Sequence, residues 1–489
     1  MRRFLRQSKN LRIFTINRHR EESALIVLIE MCCFWKNFAN RCIFMAFFKS
    51  FYYSFKKSTK SDALRFVMLI DFSVENFRSF SSRVTLSMES VRAFKEEAKN
   101  VVEVKEGLRL LRSATVYGAN SSGKTNLVLA MLHMKGIVLS SSKHSSVDKF
   151  KVDPCLLLEG DEERPSLFEV RVVIDDFIYR YGFQVTRDAV IAEWLLRSSG
   201  VRGKEFIVFT REGQTVSIGE SFPELKEVNF GELLRNVLCL SFLDNRNNAI
   251  ARGVVGKFSN IAMFSGIIEE SYQGQTLSDV MNSPTKKKAI LGLLKLTDAS
   301  IVDVGMRPMP AKMLEMLTPE AIKEARGMTV GDIFIRRQLT SRDGTPRIVE
   351  FSLLANESTG TQKMFNLATP WLKSLALGRV VFVDELDASL HPLLTRHLVQ
   401  LFNTPAFNPK NAQLVFVTHD TNLLTHGGFR RDQIWLCEKR GDGTSDLYSL
   451  AEISGVRKND KIERNYLRGK YGAIPFLGGI DSFEEYQAT

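Results

Sequence analysis

Cysteine is scarce in this chain, and the six present are poorly placed to do chemistry. Cys32, Cys33 and Cys42 fall near the start, while Cys155, Cys239 and Cys437 stand alone. None forms a CxxC pair or a Cys/His cluster with zinc-like spacing, so free thiols in a reducing cytoplasm are expected. Long apolar runs are also missing. The stretches 24–29, 31–35 and 42–48 are far short of the roughly 18 residues that a membrane-spanning helix needs, and Glu30, Lys36 and Arg41 interrupt them. No small-residue cleavage pattern follows a single apolar core, which excludes a good signal peptide. With 44% hydrophobic and 25% charged residues, the 489-residue chain has the composition of a soluble globular protein. It is long enough for one large domain with insertions or for two or three lobes.

Net positive charge is likewise nearly absent from most of the chain. Met1–Val67 holds fourteen Lys and Arg against four Asp and Glu, a surplus of ten out of the net +12. The remainder is near neutral, so the overall charge gives no argument for nucleic-acid binding. Residues 1–67 are expected to form an extension outside the folded unit, with Met68 as its natural start. The alternative is a basic arm that binds a membrane surface or a partner.

The segment Gly118-Ala119-Asn120-Ser121-Ser122-Gly123-Lys124-Thr125 fits GxxxxGK[ST]. Ala114–Tyr117 before it reads as a short buried strand, and Asn126–His133 after it reads as a helix start. Glycines let the backbone curl so that successive N–H groups face a phosphate, and the helix N-terminus adds positive potential. Lys124 would bridge the β- and γ-phosphates of ATP, and the Thr125 hydroxyl would ligate Mg²⁺.

Far along the chain, Gly378–Glu385 is an aliphatic and aromatic run ending in two acids, as a buried parallel strand delivers carboxylates to its C-terminal edge. Asp384 would hold Mg²⁺ and Glu385 would orient and activate the attacking water. A second strand-like run, Gln413–Thr418, ends in His419-Asp420. A lone histidine is often structural, but one helix and one strand separate it from Glu385, which returns it to the same sheet edge, where it would sense a γ-phosphate. Between these segments, Glu357–Lys363 opens the helical stretch Met364–Leu377. Its Ser and Gly at a helix N-terminus suit an anion, although an ordinary capped helix would look the same.

Taken in order, GANSSGKT, ESTGTQK, VVFVDE, LDASLHP and VTHD resemble the motifs of ABC-type ATPases of the branch containing SMC, RecF and OLD proteins. The resemblance implies an α/β P-loop NTPase of ABC-ATPase type, with a mixed β-sheet flanked by helices. It also implies a head-to-tail homodimer or higher oligomer, in which Ser358, Gly360 and Thr361 of one subunit close over the γ-phosphate held by the other. Asp387 and Ser389 match the loop that touches the opposite site. Met68–Phe80 is similar to the first strand and hairpin of these ATPases, where Arg78 would reach phosphate and Asn126 would join the nucleotide loop. The segments 242–246, 431–435 and 465–475 resemble the compact RloA-like family of bacterial restriction and anti-phage loci. Two departures stand out. Glu357 and Thr359 replace the Leu and first Gly of the usual signature, and no glutamine can be assigned as the Mg²⁺ contact.

The expected organisation is an ATPase lobe with a β-rich subdomain at 68–225, a helical insertion and connector at 226–345, a second ATPase lobe at 346–480 and a tail at 481–489. The hairpin Phe168–Ile174 and Tyr179–Val185, with further strands at Phe206–Phe209 and Thr215–Ile218, builds the β-rich part. Helical spacing in Leu277–Leu296 breaks at Pro284. The run Lys286–Lys288 suits a solvated helix face or, failing that, a nucleic-acid backbone. Pro308–Thr329 reads as a mobile excursion. Arg457, Lys458, Lys461, Arg464, Arg468 and Lys470, near Tyr466 and Tyr471, form a surface for nucleic acid or an effector, or serve a structural role. The family resemblance makes an ATP-driven defence switch controlling a separately encoded effector or toxin the leading expectation. A RecF-like or SMC-like DNA-repair ATPase is the alternative. The long spacing from phosphate loop to signature counts against an ABC transporter.

Overall fold

The computed structural model describes residues 67–200, 203–265, 271–308 and 331–475. Apart from Val67 and Pro308, the expected N-terminal extension and the 308–329 excursion lie outside these residues, as does the tail at 481–489.

Three short apolar runs form the centre: β5 (Ser113–Tyr117), β15 (Val380–Asp384) and β16 (Gln413–Val417). Nearly every residue in them is buried, as expected of parallel strands covered on both faces. With β11 (Ala262–Ser265), β17 (Ile434–Lys439) and β18 (Ser445–Ser449) they make a six-stranded sheet of order β11-β15-β16-β5-β17-β18. Only β18 runs antiparallel, so the sheet is mixed. Val383 lies opposite Phe416, and Val417 opposite Val116. This register brings the ends of β15, β16 and β5 to one edge.

A second sheet is antiparallel throughout, in the order β10 (Thr215–Ile218), β9 (Phe206–Glu212), β8 (Val190–Ser198), β7 (Phe177–Val185), β6 (Ser166–Ile174), β1 (Val67–Glu75) and β2 (Val84–Ser87). The β6–β7 hairpin turns at Asp175-Asp176, where Asp175 takes a left-handed backbone (φ 55°), which a short polar side chain tolerates better than most. Smaller sheets are the hairpin β3 (Val101–Lys105) and β4 (Leu108–Leu111), and the three-stranded β12 (Ile301–Pro308), β13 (Gly331–Thr340) and β14 (Pro346–Ser352).

The sheets cut across the lobes expected from sequence. β5, from the expected first lobe, and β11, from the expected insertion, both pair with strands of the second lobe. Parallel neighbours are joined by long crossovers, so strands adjacent in space come from distant parts of the chain.

Helices Ser271–Asn282 and Pro284–Thr297 pack on the long helix Thr359–Leu377. The break at Pro284 is the start of the second of these helices: Ser283 caps it by accepting from the Lys286 N–H, and proline takes the first helical position, where its missing donor costs nothing. Lys286 and Lys287 pair with Asp279 and Asp303. Among the described residues, no helix is long and apolar enough to cross a membrane.

Gln413, at the start of β16, joins the two large sheets. Its Oε1 accepts from the Leu69 N–H (2.6 Å), and its Nε2 donates to the carbonyls of Leu69 (3.0 Å) and Leu111 (3.1 Å), all out of contact with solvent. Beside it Phe72 of β1 meets Phe382 of β15 edge to face. Leaving such buried backbone groups unpaired costs roughly 1–3 kcal/mol each. Gln413→Leu is therefore expected to destabilise the protein by about 3 kcal/mol in urea unfolding, and a loss below about 1 kcal/mol would show that apolar packing alone holds the sheets together.

Candidate active site

β5 ends at Tyr117, and the chain then curls through Gly118–Gly123 into the helix Lys124–Ser140. The curl depends on residue type at two glycines. A Cβ on Gly118 would lie 2.2 Å from the Cys437 carbonyl oxygen and 2.6 Å from Ser122 Oγ. Gly123 has φ +103°, and a Cβ there would lie 2.3 Å from Ser445 Oγ and 2.7 Å from Ser79 Oγ. Ser121 is left-handed as well (φ 61°). No side chain caps the helix that follows, so its first N–H groups face the loop. Ser122 Oγ is buried without a hydrogen-bond partner among the described residues. This is a cradle suited to a phosphate.

Lys124 is buried and folds back over the loop, donating to the carbonyls of Gly118 (3.0 Å) and Ala119 (2.7 Å). Burial lowers its pKa, opposed by Cys437, Asp384, Glu385 and Asp387. Asp384, at the end of β15, is pushed up by burial, opposed by a hydrogen bond from Thr125 and by Lys124. Its Oδ1 has no partner among the described residues. A hydroxyl beside a half-buried carboxylate with a spare oxygen fits Mg²⁺, which needs few protein ligands when phosphate supplies others. Glu385 follows in a left-handed conformation (φ 51°), which is costly for a residue with a Cβ and is typically kept where it serves a site.

His419 is exposed just past β16. Its backbone N–H donates to both oxygens of Asp387 (3.3 and 3.2 Å), and Tyr117 Oη donates to the Asp420 carbonyl (3.0 Å). The loops after β5, β15 and β16 are thus sewn to one another.

The helix Thr359–Leu377 starts at Ser358, whose Oγ accepts from the Thr361 N–H (3.2 Å) and lies 3.1 Å from Thr361 Oγ1. Its contacts run to the loop after β15: a Cβ on Gly360 would sit 3.0 Å from the carbonyl of Ser389, itself left-handed at φ 58°. Glu357, in place of the expected leucine, is buried and forms a forked ion pair with Arg337 of β13 (3.0 and 2.5 Å).

Some placements differ from expectation. Arg78 pairs with Asp153 (2.9 Å) through Nε and one amino group; its neighbour Ser79 touches the loop, bonding Ser445 Oγ (2.7 Å) and accepting from Asn126 Nδ2 (2.8 Å). Asn126 is thereby turned toward the hairpin. Asn120 lines a cavity of about 310 Å³ beside the loop, together with Gly118, Ala119, His419, Tyr466 and Ile474. Tyr466 and Tyr471, expected on a basic surface, are buried: Tyr466 Oη donates to the Ala473 carbonyl (3.0 Å), and Tyr471 joins the same apolar cluster. The six cations around them stay exposed, and Lys470 lies over the Tyr471 ring (5.9 Å to its centroid). The cavity wall at 466–475, the packing of Ser79, Cys437 and Ser445 on the loop, and Lys363 were not anticipated as parts of the site.

A glycine cradle opening a helix at the C-terminal edge of a parallel strand, with paired acids on a strand two places away, defines the P-loop NTPase class. A profile of the family described as "AAA domain, putative AbiEii toxin, Type IV TA system" matches residues 113–215 and 339–425. No curated protein matches the chain. Solved structures with similarity include the SMC head domain from Thermotoga maritima, at 14% identity and TM-score 0.37, covering 78% of this chain and 98% of that one. An Smc head bound to the C-terminal domain of ScpA, derived from Pyrococcus furiosus, matches at 12% identity and TM-score 0.33, covering 78% and 96%. At such scores the fold rests on the strand order and the loop described above.

Gly118→Ala is expected to weaken binding of a fluorescent ATP analogue at least tenfold, because its Cβ would displace backbone. Gly136, within the helix Lys124–Ser140 and with open space around it, provides the contrast. Gly136→Ala should bind normally and gain roughly 0.5–1 kcal/mol in stability.

Proposed function

We propose that the chain binds Mg²⁺–ATP on Gly118–Thr125 and hydrolyses it in a head-to-tail dimer, as the ATPase component of a bacterial anti-phage system that controls a separate effector. The observation that carries the ATPase reading is the convergence of Lys124, Asp384, Glu385 and His419 on one edge of three adjacent parallel strands. The toxin–antitoxin description of the matching family supports the defence setting.

In this reading the loop N–H groups and Lys124 bind the β- and γ-phosphates. Thr125 and Asp384 hold Mg²⁺, which when bound neutralises charge on the phosphates. Glu385 orients a water for in-line attack and takes its proton, and His419 hydrogen-bonds the γ-phosphate. Ser358 and Gly360 act on the partner's nucleotide, with the N-terminus of their helix adding positive potential. The loop of Asp387 and Ser389 lies at the dimer seam. ATP favours the closed dimer and hydrolysis reopens it, which gives an effector two states to read.

The exposed cations Arg457, Lys458, Lys461, Arg464, Arg468 and Lys470 favour a second reading, DNA engagement of the RecF or SMC kind. ATP-dependent DNA binding that weakens steeply with salt would favour it.

Glu385→Gln is expected to cut turnover at least a hundredfold while keeping ATP-dependent dimerisation in light scattering; unchanged turnover would remove Glu385 from its role. Ser358→Arg should abolish turnover yet leave nucleotide binding by the monomer intact. Loss of that binding would count against action in trans.

A further inference from the structure

Lys363 lies in the first turns of the helix Thr359–Leu377 and is only 2% exposed. Its ammonium donates to three carbonyls of one loop: Glu385 (3.3 Å), Leu386 (3.0 Å) and Ala388. Asp387 and Glu385 are the charged groups whose fields favour the cation, while burial brings its pKa down to about 8. Keeping a cation away from water is expensive. Here the cost accompanies a particular loop shape. Glu385 and Ser389 are both left-handed, and three carbonyls turned inward on one ammonium hold the segment between them in that curl. The same segment carries Asp387, which accepts the His419 N–H, and it packs under Gly360.

We infer that Lys363 is a positioning residue, which fixes the backbone of Glu385–Ala388 and so aims the Glu385 carboxylate and the Asp387–His419 contact from the helix that carries Ser358 and Gly360. The inference rests on the proposed ATPase reading and extends it. Ser358 and Gly360 serve the partner's nucleotide, whereas Glu385 serves the subunit's own. Lys363 links the two within one chain. Seating the helix on the partner's phosphate thereby orders the water-activating residue at the subunit's own site, and the two sites of the dimer become coupled. A misplacement of about 1 Å in such a group is enough to cost roughly a hundredfold in rate.

The test uses the full chain with Lys363→Met, which keeps length and loses the donors, and Lys363→Arg, which keeps charge and donors. Steady-state turnover, the affinity of the monomer for a fluorescent ATP analogue and the unfolding midpoint are measured for each. Lys363→Met is expected to lower kcat at least tenfold, with affinity and KM within about threefold of the parent, and Lys363→Arg should restore most of the loss. Parent-like kcat in the Met variant overturns the proposal. So does a loss that falls equally on kcat and affinity, or that Arg does not relieve. If the Met variant does not fold, Lys363→Gln replaces it: reduced kcat at parent KM for Gln, with higher kcat for Arg, supports the role, and equal turnover of the two overturns it. A parent chain without ATP turnover overturns the underlying reading, and this inference with it.

Discussion

The parallel register of β5, β16 and β15 is the constraint on which the candidate site depends. These strands contribute no catalytic side chain from their interiors, but their pairing decides that residues 118–125, 384–387 and 418–420 leave the sheet side by side. A slip of one residue in β15 would exchange its faces and move Asp384 along the edge. Continuous burial of both faces resists such a slip. Gln413 adds a directional restraint, because its amide can satisfy Leu69 and Leu111 in only one alignment. The precision of the loops is therefore set by buried features that touch no phosphate.

Much of this was legible because phosphate chemistry is demanding over short stretches. A backbone that must turn its N–H groups inward needs Gly118 and Gly123 at a fixed spacing, and acids at a buried strand end announce themselves in Val380–Glu385. The β6–β7 hairpin and the helix break at Pro284 were also readable, since turn and cap chemistry is local. Strand partnership was less so. β11 is four residues long and pairs with β15 more than a hundred residues away, and β13 and β14 carry exposed, charged residues without a strong apolar alternation. At the site, Arg78 looked free for phosphate because its partner Asp153 lies far along the chain. Lys363 stood out only as the end of the polar segment Glu357–Lys363. Its burial follows only from how the loop after β15 folds beneath it.

Glu357 shows how a departure from a motif can be structural. A leucine before Ser358 would pack on apolar neighbours. Here a carboxylate sits in the same place, buried, and its charge is met by the fork of Arg337. The three-stranded sheet β12–β13–β14 is thus attached by an ion pair to the residue preceding Ser358. Such a pair holds direction better than apolar contact does, and it connects a peripheral sheet to the helix that opens at Ser358.

The wall formed by Tyr466, Ile474 and Pro475 beside Gly118–Asn120 has a consequence for the order in which the protein can be completed. The phosphate loop emerges early in translation and its acids much later, but the cavity beside the loop cannot close until residue 475 has been made. A nascent chain stalled after Asp420 would possess every motif on the sheet edge while leaving Tyr117 and Gly118 open to water on one side. Assembly of the pocket is therefore a late event in the life of each chain, and a half-made protein is not a half-competent one.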